Sequence, residues 1–205
     1  MNIEISNLGK RYNNHWIFRK VNYTFQSTKK YAITGPNGSG KSTLLQTLGN
    51  FILQNEGSIR FEINGTEIPP EKIHRHISIA APYLDLIEEM TLNEFLNFHQ
   101  KMKGWLPHIN NEMIVDLINL SDAVNKQIRY FSSGMKQRVK LAQAIFSNAT
   151  FVLLDEPATN LDKPGIAVYR KLIHEFMHDR LLIVSSNDEQ EYAFCNEHLY
   201  LPDFK

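Results

Sequence analysis

Residues 35–42 read GPNGSGKS, and this stretch decides the fold. It satisfies G-x-x-x-x-G-K-[ST] at every position. Gly35, Gly38 and Gly40 let the backbone wrap tightly and aim its N–H groups at phosphate oxygens. Lys41 has the reach and charge for β- and γ-phosphates, and the Ser42 hydroxyl suits Mg²⁺. KYAIT precedes the stretch and reads as a short strand. KSTLLQTLGN follows and reads as a helix stopped near Gly49 and Asn50, whose N-terminus favours an anion. A strand, a glycine-rich loop and a helix in that order predict a nucleotide-phosphate cradle, not an idle turn.

Outward from the cradle the chain alternates. NIEIS and IFRKVNYTF alternate in polarity and read as strands, an antiparallel β part at the N-terminus. GSIRFEING is a strand closed by an Asn-Gly turn, and HISIAAP is another, ended by Pro82. TFVLLDEP and RLLIVSSN are continuous apolar runs of the kind buried in a parallel sheet. Helices are expected from about Lys163 to His178 and over EQEYAFC. The fold class is α/β: a P-loop NTPase core with a mainly parallel sheet.

One block interrupts this pattern. From Thr91 to about Ser121, Leu92, Phe95, Leu96, His99 and Met102 follow helical spacing, and NEMIVDLINL is a second helix. The expected organisation is a single domain over 1–205. Residues 1–82 and 131–205 form its core, and about 83–130 form an inserted α-helical subdomain.

Composition sets limits on function. The 205 residues carry 22 Lys+Arg against 22 Asp+Glu, a formal net charge of zero, so no basic excess advertises a nucleic-acid partner. A single cysteine, Cys195, rules out an internal disulfide and fits a reducing compartment. MNIEISNLGKRY has no apolar h-region, and no run of roughly 18 apolar residues occurs, so direct membrane insertion is not expected.

FVLLDEP supplies the second chemical element. Asp155 and Glu156 end a buried strand, as do acids that hold Mg²⁺ and orient an attacking water in P-loop NTPases. HEFMH, 174–178, competes for attention because it fits the zinc signature H-E-x-x-H. On a helical wheel, however, His174 and His178 fall away from the buried stripe of Ile166, Tyr169, Ile173 and Phe176. They sit near Lys171 on a solvated face, without the third ligand and second shell a zinc hydrolase needs.

FSSGMKQRVKLAQAIF, just before the acidic strand, narrows the field. With it the chain resembles the ABC ATPases, the ATP-binding subunits of ABC transporters, over essentially its full length. Their signature usually reads LSGGQ, and Ser132, Ser133 and Gly134 match it. The cradle match runs through Gly35, Pro36, Asn37, Gly38, Ser39, Gly40, Lys41, Ser42 and Thr43. Tyr12 matches the aromatic that stacks on adenine. Asp155 matches the magnesium acid and Glu156 the catalytic base. ATNLD, 158–162, matches the loop that touches the partner subunit.

The resemblance implies ATP and Mg²⁺ as cofactors and ATP hydrolysis as the activity. It implies a homodimer or heterodimer of ATPase subunits, in which the signature of one chain closes over ATP held by the other. It further implies a separate integral membrane subunit, whose coupling helix enters a groove at the helical block. The expected location is cytoplasmic, peripheral on the inner face of the cell membrane. SSGMKQR is most like ATPases paired with exporters. A soluble ABC protein acting on a macromolecular partner is the alternative; long coiled coils or a second ATPase domain would mark two of its branches, and neither is present. Two family positions depart. A glutamine is expected after ISIAA, where Pro82 stands, and a histidine contacting the γ-phosphate is expected where Asn187 stands. These departures imply slow hydrolysis with ATP binding retained.

Overall fold

The structure is a computed structural model that describes residues 1–205. The chain opens with the antiparallel hairpin of β1 (Asn2–Tyr12) and β2 (His15–Gln26). β3 (Lys30–Thr34) leads through the glycine-rich loop into α1 (Lys41–Leu48). β4 (Glu56–Ile63) and β5 (Thr66–Glu67) flank Asn64 and Gly65, whose φ values of 51° and 78° suit the mirror-image turn that follows strand twist. β6 (Ile77–Ala80) is followed by α2 (Leu92–Lys103), α3 (Asn111–Leu117) and α4 (Ser133–Phe146). β7 (Phe151–Asp155), α5 (Lys163–Phe176), β8 (Leu181–Ser185), α6 (Glu189–Tyr192) and β9 (Glu197–Tyr200) complete the fold.

The strands form two sheets. One is antiparallel, in the order β2-β1-β4-β5; the other, in the order β6-β7-β8-β3-β9, is parallel throughout. The apolar runs are buried on both faces, as a parallel sheet between two layers requires. Phe151, Leu153, Leu181 and Ile183 face a cluster shared with Ile3, Ile5 and Phe25 of the antiparallel sheet. Val152, Leu154, Leu182 and Val184 point the other way, into a cluster with Leu92, Phe95, Val139 and Tyr169 of the helices. The residues of α2 thus share one core with β7 and β8.

Helix starts are chemically marked. Thr91 and Glu94 form a capping box at α2, Ser132 caps α4, and Asp162 accepts from the Gly165 N–H at α5. Several expectations need correction. Helical spacing puts Met102 on the buried stripe of α2, but it is 72% exposed. Gly104, at φ 77°, turns the chain back, and Trp105 stacks on buried His99 with ring centroids 4.6 Å apart, covering that end of the helix without Met102. The helix expected to reach His178 ends at Phe176, and on it Leu172, not Ile166, is fully buried. β9 was not anticipated: EHLY is short and only Leu199 in it is buried.

Candidate nucleotide site

Because the strands are parallel, their carboxyl ends open at one edge of the sheet, where α/β folds bind ligands. Register brings the chemistry together there. Ser185 lies opposite both Ile33 of β3 and Asp155 of β7, and Ala80 lies opposite Leu154. The loop after β3 lines a cavity of about 270 Å³ with Asn37, Gly38, Gly40, Lys41, Ser42 and Thr43, joined by Glu156 and by Ile17 of β2.

The glycines serve different needs. Gly38 has φ 76° and open space around it, so its backbone angle alone excludes most residues. Gly40 has φ 104°, and a Cβ there would stand 2.3 Å from Ile17 Cγ2. Lys41 is buried, and its Nζ donates to the loop's own carbonyls, Gly35 O at 2.9 Å and Pro36 O at 3.3 Å. The buried Ser39 hydroxyl has no hydrogen-bond partner. A loop at a helix N-terminus with a buried ammonium and an unpaired hydroxyl suits a polyanion.

Asp155 is 1% exposed, and its Oδ1 has no hydrogen-bond partner. Burial raises its pKa above the ordinary carboxylate value. The hydroxyls of Ser42 and Ser185 oppose that shift, Glu156 adds to it, and Lys41 opposes it. An unpaired buried carboxylate oxygen near a serine hydroxyl is an oxygen donor set that fits a divalent cation. Glu156 adopts φ 43°, unusual for a residue with a Cβ, and its N–H donates to Ser185 O at 2.8 Å.

Other sequence-predicted residues are placed at a distance or in new pairings. Tyr12 is 50% exposed at the hairpin end, with Lys10 Nζ 5.1 Å from its ring centroid. It pairs across the strands with His15, two residues before Ile17, and Ile17 is the unpaired residue of a bulge between the Trp16 and Phe18 pairs. Asn187 donates from Nδ2 to Asn37 Oδ1 at 3.1 Å, linking the loop after β8 to the cradle. Pro82 offers only its carbonyl, which accepts from Lys140 Nζ at 3.0 Å. Ser132 and Ser133 are exposed, and none of 132–134 lines the cradle cavity. Ser132 Oγ accepts from the Met135 N–H at 3.2 Å.

Three neighbours went unnoticed in the sequence. Ile17 is one aliphatic residue on a strand and carries no local signal. Ser185 sits in the SS pair after the apolar run and is found only through register. The Tyr83 phenol lies beside Asp155 and Gln46; burial first, then the field of Asp155, pushes its pKa up to about 12, so it is a neutral donor. HEFMH lies on the end of α5 and the turn after it. His174 and His178 are exposed with ring centroids 5.8 Å apart, and no cluster of three His, Cys, Asp or Glu is placed to hold a metal ion.

Comparison with known proteins identifies the family. The family profile described as "ABC transporter" matches residues 18–159. The uncharacterized ABC transporter ATP-binding protein YybJ of Bacillus subtilis is 32% identical over 92% of this chain and 87% of its own length. The lantibiotic transport ATP-binding protein SrtF of Streptococcus pyogenes is 32% identical over 90% of this chain and 79% of its own. Among solved structures, the dimeric post-hydrolysis state of the ATP-binding cassette MJ0796 bound to ADP and Pi superposes with a TM-score of 0.83. It covers 97% of this chain and 93% of that one at 21% identity, which speaks to the fold. Motif, sheet edge and relatives converge: the chain belongs to the ABC transporter family and is an ATP-binding subunit of the ABC ATPase fold.

Proposed function

We propose that this subunit binds ATP with Mg²⁺ in the cradle of residues 35–43, hydrolyses it within a dimer, and drives a separate membrane subunit in export. The observation that carries the proposal is the convergence of Lys41, Ser42, Asp155 and Glu156 at one sheet edge. There the buried Asp155 Oδ1 and Ser39 Oγ lack partners. Mg²⁺ bound there supplies charge that polarises the transferring phosphoryl group. Ser42 and Asp155 hold it. Lys41 exchanges its two loop carbonyls for β- and γ-phosphate oxygens. Glu156 orients and deprotonates water, Tyr12 stacks on the base, and Asn187 reaches the γ-phosphate from its place beside Asn37.

The exposed Ser132 and Ser133 and the half-buried Gly134 lie outside their own cradle, which supports a second ATPase subunit, identical or homologous, as the acceptor of this signature. The dimeric cassette among the fold neighbours supports the same reading. No helix is long and apolar enough to cross a membrane, and a separate membrane subunit is the partner this reading calls for. A cleft of about 400 Å³ lined by Phe51, Ile79, Leu84, His99 and Lys103 offers that chain a docking place. Phe51 is 55% exposed at its rim. We place the subunit in the cytoplasm, peripheral on the inner face of the cell membrane through this contact. Export is favoured by SSGMKQR and by the likeness to SrtF. The division into a core of 1–82 and 131–205 with a helical subdomain at about 83–130 belongs to the same proposal.

Hydrolysis by the isolated subunit is slow in this reading. Pro82 has no polar side chain, and Asn187 lacks the charge assistance that roughly doubles a hydrogen bond's strength. Single-turnover hydrolysis by wild type, Glu156→Gln, Asn187→His and Asn187→Ala tests the assignments. Glu156→Gln should bind ATP, accumulate as a dimer by light scattering and stop turnover. Asn187→His should be faster than wild type. A Glu156→Gln protein that turns over normally would refute the role of Glu156, and an Asn187→Ala protein matching wild type would refute that of Asn187.

A further inference from the structure

Glu191 of α6 is not used by the chemistry above, yet it is 4% exposed. A buried carboxylate is costly unless it serves contacts, so its partners are informative. Its Oε1 accepts the Ala158 N–H at 2.6 Å, across 33 residues of chain. Its Oε2 is buried without a hydrogen-bond partner, and the Ser186 hydroxyl lies beside the carboxylate. Its backbone is held too, since Tyr169 Oη donates to Glu191 O at 2.8 Å.

One end of this contact is the loop after Glu156; the other is α6, which follows the loop bearing Asn187 and is joined to it where the Glu191 N–H donates to Asp188 O at 3.0 Å. Ala158 is two residues after Glu156, and the Thr159 N–H closes back onto Glu156 O at 3.2 Å. Ser186 is next to Asn187, which bonds Asn37 of the cradle. The loop after Glu156 is gripped from its other side as well. Gln137, buried on α4, donates from Nε2 to Pro157 O at 2.8 Å. A Cβ on Gly134 would stand 3.0 Å from Asn160 O, so the signature helix packs closely on the same loop. Polar contacts and close packing therefore run from Asn37 through Asn187 and the loop after β8 to Glu191. From there they continue through residues 157–160 to the start of α4.

We propose that Glu191 is a positioning residue: its carboxylate ties the loop after Glu156 to the start of α6, into which the loop bearing Asn187 leads, and with Gln137 it passes the position of the cradle on to the signature helix. This rests on the roles proposed for Glu156 and Asn187. The physical content is a tether. Movement of Asn187 toward a bound phosphate displaces the loop of Ser186. Glu191 then carries Ala158 with it, which resets both Glu156 and the Gly134 contact. Without the tether the cradle still binds nucleotide, but Glu156 and the signature no longer take their places together. Sub-ångström to ångström misplacement of this kind costs roughly 10²-fold in rate at the extreme.

The test compares full-length wild type, Glu191→Gln, Glu191→Leu and Gln137→Leu. Four quantities are measured: affinity for a fluorescent ATP analogue, urea midpoint, single-turnover hydrolysis, and amide exchange of residues 157–161 with and without ATP·Mg²⁺. Glutamine keeps an oxygen that accepts from Ala158 and should hydrolyse within about threefold of wild type. Glu191→Leu should lose roughly tenfold or more in rate while analogue affinity stays within about twofold. Exchange at 157–161 should rise in it without nucleotide and stop responding to ATP. Gln137→Leu should show the same split and carries the test if Glu191→Leu does not fold. A wild-type rate and unchanged exchange in Glu191→Leu, or in Gln137→Leu where it stands in, overturn the proposal. So does a parallel loss of affinity, midpoint and rate, which is the mark of a mere structural anchor. A wild type that fails to bind the analogue refutes the nucleotide reading itself and is thereby told apart.

Discussion

Gly40→Ala is the most discriminating perturbation of the cradle, because two separate costs meet at one atom. Gly40 sits at φ 104° and ψ 11°, directly before α1. Alanine in a left-handed conformation costs roughly 1–2 kcal/mol. Independently, its Cβ would meet Ile17 Cγ2 at 2.3 Å, well inside contact distance, and overpacking of this kind costs about 1–3 kcal/mol. The sum is roughly 2–5 kcal/mol if the loop keeps its shape, or a deformed loop if it does not. In an Ile17→Ala background the steric part disappears and the backbone part remains. Urea unfolding of the four proteins in that double-mutant cycle measures the two contributions, and ATP-analogue binding reports the loop. The expectation is a coupling of about 1–3 kcal/mol between the two sites and weakened binding by Gly40→Ala, partly restored by Ile17→Ala. Equal costs of Gly40→Ala in both backgrounds would refute the steric argument. Unaltered binding by Gly40→Ala would refute the claim that this loop conformation holds the phosphates.

Lys41→Ala removes the buried ammonium and should abolish hydrolysis and weaken ATP binding at least tenfold, since charge-assisted bonds contribute more than neutral ones; filter or fluorescence binding decides it. Arg180 is buried and donates to Ala149 O, Ile145 O and Ser147 O at 2.7, 2.5 and 3.0 Å, gathering the carbonyls at the end of α4. Arg180→Ala should cost about 3–5 kcal/mol in urea, and a loss below about 1 kcal/mol would contradict this. Burial first, and Lys103 second, lower the His99 pKa from 6.5 to about 4. The unfolded state then binds the extra proton between these values, so this histidine's contribution to stability falls as pH drops from 6.5 toward 4. The pH slope of the urea midpoint should be shallower in His99→Gln over that window.

Legibility followed the range of the interaction. The cradle was readable because its chemistry is local: eight adjacent residues supply glycine angles, ammonium and hydroxyl together. β7 and β8 were readable because burial on both faces leaves continuous apolar runs. The Asn64-Gly65 turn was readable because its backbone angles demand those residues. Met102 and Ile166 were misplaced because periodicity names a stripe without saying where the neighbouring layer ends. At Met102 the returning Trp105 closes the core one turn early. β9 was missed because an edge strand buried mainly through Leu199 leaves almost no pattern.

The site's remaining members depend on register between distant strands, and periodicity holds no information about that. Ser185 matters because β8 lies between β3 and β7, an order the chain sequence β3, β7, β8 does not reveal. Ile17 reaches Gly40 because the antiparallel sheet packs over the parallel one. Glu191 follows the same logic. EQEY reads as an ordinary acidic helix start, and a carboxylate there would be expected in water. The parallel sheet instead sets the start of α6 against the loop after β7, so the acid meets Ala158 in the dry space between them. Burial raises its pKa, and the nearby Ser186 hydroxyl and the Ala158 N–H oppose that shift. A strand order that buries an acid between two reacting loops gives those loops a common handle. The fold thereby ties the spacing of Glu156 and Asn187 to one side chain that no motif announces.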